Sequence, residues 1–85
     1  MNQQPAAASI DELRSRIDHI DDALLDLWRE RSGLSQQVGK ARIASGGTRL
    51  VLSREQQILA RFKTALGEDG IALALLLLRA GRGPL

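Results

Sequence analysis

Arg31 stands at a position that the surrounding pattern reserves for an apolar side chain. With the first segment read as a helix, Ile10, Leu13, Ile17, Ile20, Leu24 and Leu27 recur at spacings of three and four, and Leu34, Val38 and Ala41 resume the seam beyond it. A guanidinium among leucines is costly unless an anion meets it. Arg is also the side chain best shaped to grip a carboxylate through two parallel N–H donors. Arg42 follows eleven residues later, so at about 100° and 1.5 Å per residue the two point within about 20° of each other, about 16 Å apart along the axis. A ligand of metabolite size can lie between them.

An acid belongs to the same picture. Counting by fours and threes from Val51 reaches Glu55, Ile58, Phe62 and Ala65, so Glu55 occupies an otherwise apolar face. Arg14 is rotated about 260° from Arg31 on the same helix; it cannot serve that pocket within one chain, although a second copy could bring it there. The chain has no cysteine, no metal-ligand cluster, no Gly-rich phosphate loop before a helix and no Ser-His-Asp order. His19, beside Ile20 and near Asp18, Asp21 and Asp22, reads as a solvated histidine on the helix surface. What remains is binding of an acidic small molecule, with any catalysis coming from positioning and charge complementarity, without cofactor or metal. Two blander readings stay open on the residues alone. Arg31 could fix the register of a dimer or pair with Glu55 as a structural salt bridge, and Arg14, Arg42 and Arg54 taken singly fit a solvated surface.

Composition narrows the function classes. A chain of 85 residues with a formal charge of +2, one Trp, one Phe and no Tyr is mildly basic and offers almost nothing for bases to stack on, which argues against nucleic acid. The opening MNQQPAAAS lacks a basic start and a long apolar stretch, and the run IALALLLL is too short to span a bilayer. The expectation is a cytoplasmic protein of one domain, residues 10–85, behind a loose tail at residues 1–9. So short a chain without disulfides needs a partner to complete its core.

The elements that must position these residues are helical throughout. Ser9 offers an N-cap and Glu12, three residues on, completes a capping box. From Ile10 no proline or strong break intervenes before Ser45-Gly46-Gly47, so the first helix spans about 35 residues and about 52 Å. That exceeds the width of a compact domain of this size, and the projecting half of the seam calls for a second copy of itself: a homodimer of crossing long helices, or a simple antiparallel coiled coil. The adjacent glycines make Ser45–Arg49 a candidate lid or hinge. A second helix is expected from a Ser53 cap to about Leu66, then a turn at Gly67–Gly70. A third helix is expected over Ile71–Ala80, apolar nearly all round and closed by Gly81, before an irregular tail at Arg82–Leu85.

Taken in order, LRSRIDHIDDALLDLWRERSGLSQQVGKAR followed by SGG, TRLV and SRE closely resembles the all-helical class of chorismate mutases over residues 10 to about 62. The ending LLLLRAGRGPL looks like the actinobacterial intracellular (delta) branch. The resemblance implies an all-α dimer of three-helix chains whose very long first helices intertwine, each active site borrowing one arginine from the partner. It implies that Arg14 is the borrowed arginine, that Arg14 and Arg31 grip the two carboxylates of chorismate, and that Arg42 stands where a cation meets the ether oxygen. Glu55 falls at the acid near the ring hydroxyl, Val51 contributes backbone, and Arg54 lies at the pocket wall.

The implied activity is the intramolecular rearrangement of chorismate to prephenate, on the route to phenylalanine and tyrosine. Two departures bear on efficiency: many members carry an acid where this chain has Val51, and a glutamine in the last helix that has no counterpart in LLRAGRGPL. Similar actinobacterial enzymes are weak alone and are activated by complexing with 3-deoxy-heptulosonate phosphate (DAHP) synthase. The resemblance places that contact at the Arg82–Leu85 tail and the Gly46-Gly47 loop. Isochorismate pyruvate-lyase activity on the same fold, and a non-catalytic helical dimer that regulates a partner enzyme, are the competing readings.

Overall fold

Ser9 sits extended, and its Oγ accepts a hydrogen bond from the Glu12 amide at 3.1 Å, which satisfies one of the free N–H groups at a helix start. From that cap, α1 runs unbroken over Ile10–Ala44. The computed structural model describes residues 8–48 and 50–83, and two further helices follow: α2, Leu52–Leu66, and α3, Glu68–Arg82. Most of the expected tail at 1–9, together with Arg49, Pro84 and Leu85, lies outside the described residues.

The end of α1 is a Schellman cap. The Gly47 amide donates to the Arg42 carbonyl at 2.7 Å and the Gly46 amide to Ile43 at 3.0 Å, with Gly46 in the left-handed region at φ 86°. The Ser45 Oγ adds bonds to the Ala41 and Arg42 carbonyls. The two glycines expected to give a hinge are therefore hydrogen-bonded to the last turn of α1.

The other boundaries differ from the sequence expectation for identifiable reasons. Val51, extended, places its carbonyl to accept from the Arg54 and Glu55 amides at 3.1 Å each, so α2 opens on backbone bonds alone and Ser53 lies inside it. The expected four-residue turn collapses to one residue. Gly67 at φ 68° reverses the chain by itself, and Glu68 and Asp69 already form the first turn of α3, where acidic side chains suit the positive end of the helix dipole. At its far end α3 continues through Gly81 to Arg82, so Gly81 is an interior residue and not a cap.

The three helices do not form a closed bundle. α2 packs on α3 and α3 packs on α1, while the backbones of α1 and α2 stay more than 8 Å apart, Cα to Cα. The core is small: Ile58, Ala74 and Leu78 are buried, with Leu59 and Phe62 packed against them, and Leu77 is buried beside it. No residue of α1 is buried, and its apolar seam faces outward, with Leu24 59 % and Leu27 60 % exposed. On α3, expected to be covered on most sides, Leu75 is still 51 % exposed. The molecule measures 61 × 24 × 23 Å with a radius of gyration of 18.2 Å, against about 12 Å for a compact chain of this length.

Helix α3 meets α2 closely at Gly70, where a Cβ would fall onto the Phe62 carbonyl, a backbone atom that has no room to move aside. Gly70→Ala is expected to cost about 1–3 kcal/mol by forcing the helices apart. The thermal unfolding midpoint would register this as a drop, and an unchanged midpoint would contradict the close approach.

Candidate active site

The gap between α1 and α2 is a cleft. Because the two helices pack on α3 with their own backbones apart, the space bounded by the second half of α1, the start of α2 and the end of α3 stays open, and it forms a cavity of about 480 Å³. That lies within the roughly 300–1,000 Å³ usual for small-molecule sites. Its floor is apolar, from Leu27, Leu34, Val38, Ile58 and Leu78, and its polar groups converge from all three helices.

The sequence-derived residues divide cleanly. Arg31, Arg42, Val51, Arg54 and Glu55 all line the cavity. Arg14 does not; it lies on the exposed first half of α1, well away from the pocket of its own chain. Arg31 and Arg42 reach the cleft because the helix spacing puts both on the face turned toward α3. Arg54 and Glu55 reach it because they belong to the first turn of α2.

Arg31 is not paired with Glu55. Its Nη1 donates to the Leu77 carbonyl of α3 at 3.3 Å, which fixes one edge of the guanidinium and leaves other donors for an incoming acid. Glu55 instead meets Arg82, with Oε2 3.7 Å from Nε and the two side chains 18 % and 26 % exposed. The alternative reading of Arg31 and Glu55 as a structural salt bridge is thereby set aside, and no charged residue among those described is buried in the single chain. A partly solvated cleft lowers the cost of gathering several cations around an anion-sized space.

Arg82 was missed by sequence reasoning, which placed the helix end at Gly81 and Arg82 in an irregular tail. The available signal was its spacing four residues beyond Leu78, which puts it on the same buried face once the helix is extended by about two residues. Glu30, also on the cavity wall, was missed as well. It precedes Arg31 and therefore points about 100° away from it, a displacement that a one-face count does not capture.

The last turn of α3 is held against α1 by side chains. Gln36 donates from Nε2 to the Ala80 carbonyl at 3.1 Å. In a helix that carbonyl would accept from the amide four residues later, and residue 84 is a proline without an N–H. Gly81 lies against Ser35, whose Cβ would be 2.8 Å from a Cβ at position 81. No described helix is long and apolar enough to cross a membrane.

Comparison with known proteins bears on this site. Residues 13–76 match the family described as chorismate mutase type II. An intracellular chorismate mutase of Mycolicibacterium smegmatis is 50 % identical over 80 residues, covering 94 % of this chain and 77 % of the relative. One from Mycobacterium tuberculosis is 51 % identical over 100 % of this chain and 79 % of its own length. Among solved structures, the chain is similar to one in a non-covalent complex of DAHP synthase and chorismate mutase from Corynebacterium glutamicum with bound transition state analog. The TM-score is 0.85 at 47 % identity, covering 89 % of this chain and 92 % of that one.

The Gln36 bond to Ala80 is exposed, so its loss is a local event. Gln36→Leu is expected to fray the end of α3 at a cost of about 0.5–1.5 kcal/mol. Hydrogen exchange should show faster exchange at the amides of Arg79–Arg82 with α2 unaffected; unchanged protection there would rule out the clamp.

Proposed function

We propose, from the premise that the chain belongs to the chorismate mutase type II family, that it converts chorismate to prephenate at a site completed by a second copy of itself. The observation that carries this is the gathering of Arg31, Arg42 and Arg54 with Glu55 around one apolar-floored cleft of metabolite size. Chorismate brings two carboxylates and an enolpyruvyl ether to such a site. In one intramolecular step the ether C–O bond breaks as a C–C bond forms, and no nucleophile, proton or cofactor is exchanged with the protein.

The protein's task is to hold the folded, diaxial conformer and to meet the negative charge that grows on the ether oxygen. A million-fold acceleration corresponds to about 8 kcal/mol of transition-state stabilisation. Restricting the conformer and presenting a fixed guanidinium in a partly desolvated cleft are sources of adequate size. Arg31, already anchored to the Leu77 carbonyl, grips one carboxylate. Arg42 faces the ether oxygen, Glu55 accepts from the ring hydroxyl, Val51 lends backbone and Arg54 closes the wall.

The second carboxylate requires Arg14, and the exposed seam of α1 supplies the means. Ordering one residue costs roughly 1–2 kcal/mol, while complete burial of a large apolar side chain returns roughly 1.5–3 kcal/mol. A core as small as the one in this chain does not offset that alone. Pairing two α1 seams covers Ile17, Ile20, Leu24 and Leu27 and carries the partner's Arg14 toward the open cleft. The enzyme therefore acts as an intracellular homodimer in the synthesis of phenylalanine and tyrosine. It associates with a DAHP synthase, a reading supported by the composition of the Corynebacterium complex.

Purified chain given chorismate is expected to yield prephenate, slowly alone and faster with DAHP synthase; absence of prephenate in both settings overturns the assignment. Pyruvate release from isochorismate would favour the lyase instead. Arg42→Ala is expected to lower kcat about 10²- to 10³-fold with a smaller change in KM. Arg31→Leu should remain folded and lose most turnover, whereas a purely structural Arg31 would leave turnover intact. Shared sites make a stricter demand. Random mixing of inactive Arg14→Ala and Arg42→Ala chains makes half the dimers mixed, each with one intact site, so about one quarter of wild-type activity returns; no recovery would exclude a partner-borrowed Arg14.

A further inference from the structure

Glu55 stands among cations that an anionic ligand must also use. Arg31, Arg42, Arg54 and Arg82 all line the same cavity, and a mobile carboxylate in their midst would settle on any of the first three and neutralise it. It does not: among the described residues the ion-pair partner of Glu55 is Arg82, on the α3 side of the cleft. The contact is single, from Nε to Oε2 at 3.7 Å, and Oε1 has no ion-pair or hydrogen-bond partner among the described residues. Arg82 is itself held in place, since the last turn of α3 is clamped to α1 through Gln36 on Ala80 and Arg31 on Leu77, with Gly81 lying against Ser35.

We propose that Arg82 is a positioning residue. Its guanidinium draws the Glu55 carboxylate toward α3, keeps it off the arginines of α1 and α2, and leaves Oε1 free to accept a hydrogen bond from a ligand hydroxyl. The anion-binding arginines stay available because the one acid beside them has a cation of its own. The inference deepens the chorismate reading and rests on it.

The test is a double-mutant cycle in the full-length homodimer, with KM and kcat for chorismate measured alone and in complex with DAHP synthase. In the native background Arg82→Met lets Glu55 fall onto the ligand-binding arginines, and KM is expected to rise about fivefold, the equivalent of one partly exposed ion pair. In the Glu55→Gln background the neutral amide does not compete for those arginines, so adding Arg82→Met leaves KM within twofold. Arg82→Lys, which keeps the charge, should restore KM to within twofold of the native value, and Arg82→Gln, which removes the charge but stays polar, takes the place of the Met variant in both backgrounds if that variant fails to fold.

A rise of KM of equal size in both backgrounds overturns the proposal, because it would mean that Arg82 touches the ligand or only supports α3. No rise in the native background overturns it as well. Either result with prephenate still formed leaves the reaction assignment standing. A native protein that makes no prephenate in either setting overturns the assignment, and this inference with it.

Discussion

The backbones of α1 and α2 stay more than 8 Å apart, and the cleft between them exists because α3 spans the distance. Its last turn can approach α1 because position 81 carries no Cβ to strike Ser35. That close seating brings the Leu77 carbonyl within reach of Arg31 and the Ala80 carbonyl within reach of Gln36. It also delivers Arg82 to Glu55 from the opposite wall. The site thus depends on a single helix-to-helix contact, made at the end of the chain and stabilised by few interactions, each of modest size. A contact of that kind is open to adjustment by anything that touches the terminus, which is where the resemblance located the influence of a partner enzyme.

A second constraint is the ratio of apolar surface to core. The chain devotes its longest element to a helix in which no residue is buried, while the burial it achieves is confined to a few side chains between α2 and α3. Such a distribution is unfavourable for an isolated molecule and favourable for half of a dimer, because the exposed seam is continuous and matches a copy of itself. The same geometry separates Arg14 from the pocket of its own chain. In the proposed homodimer, oligomerisation and completion of the site are one event.

The electrostatic design follows from the chemistry. A unimolecular rearrangement exchanges no proton with the protein, so a set of fixed cations suffices, provided that they are not neutralised by neighbouring acids. Four arginines and two glutamates around one cleft could collapse into ion pairs; Glu55 is instead paired with Arg82 at the end of α3, and Arg31 is anchored on a backbone carbonyl. Arg31 is preorganised by a hydrogen bond to an uncharged group, and its charge is retained for the ligand.

The sequence by itself determined the helical class, the length of α1 and its Ser9 cap, the shared face of Arg31 and Arg42, and the place of Glu55 on an apolar face, because helical periodicity maps residue spacing directly onto a face; Arg54 was assigned to the pocket by the family resemblance. Local backbone chemistry was harder to read. The reversal takes one residue, since a single glycine at positive φ suffices, and α2 begins on the Val51 carbonyl where a Ser53 side-chain cap was expected. Only the tertiary structure decided which cation meets Glu55, that α3 runs on to Arg82, and that the Gly46-Gly47 pair is a helix cap. The first two depend on how closely two helices approach, a distance set by the absence of a Cβ at Gly70 and Gly81, whereas the cap is local, made by the Gly46 and Gly47 amides on carbonyls of the last turn of α1. Periodicity in one strand of sequence carries no information about separation between elements, and so it named the residues of the site without showing what holds them.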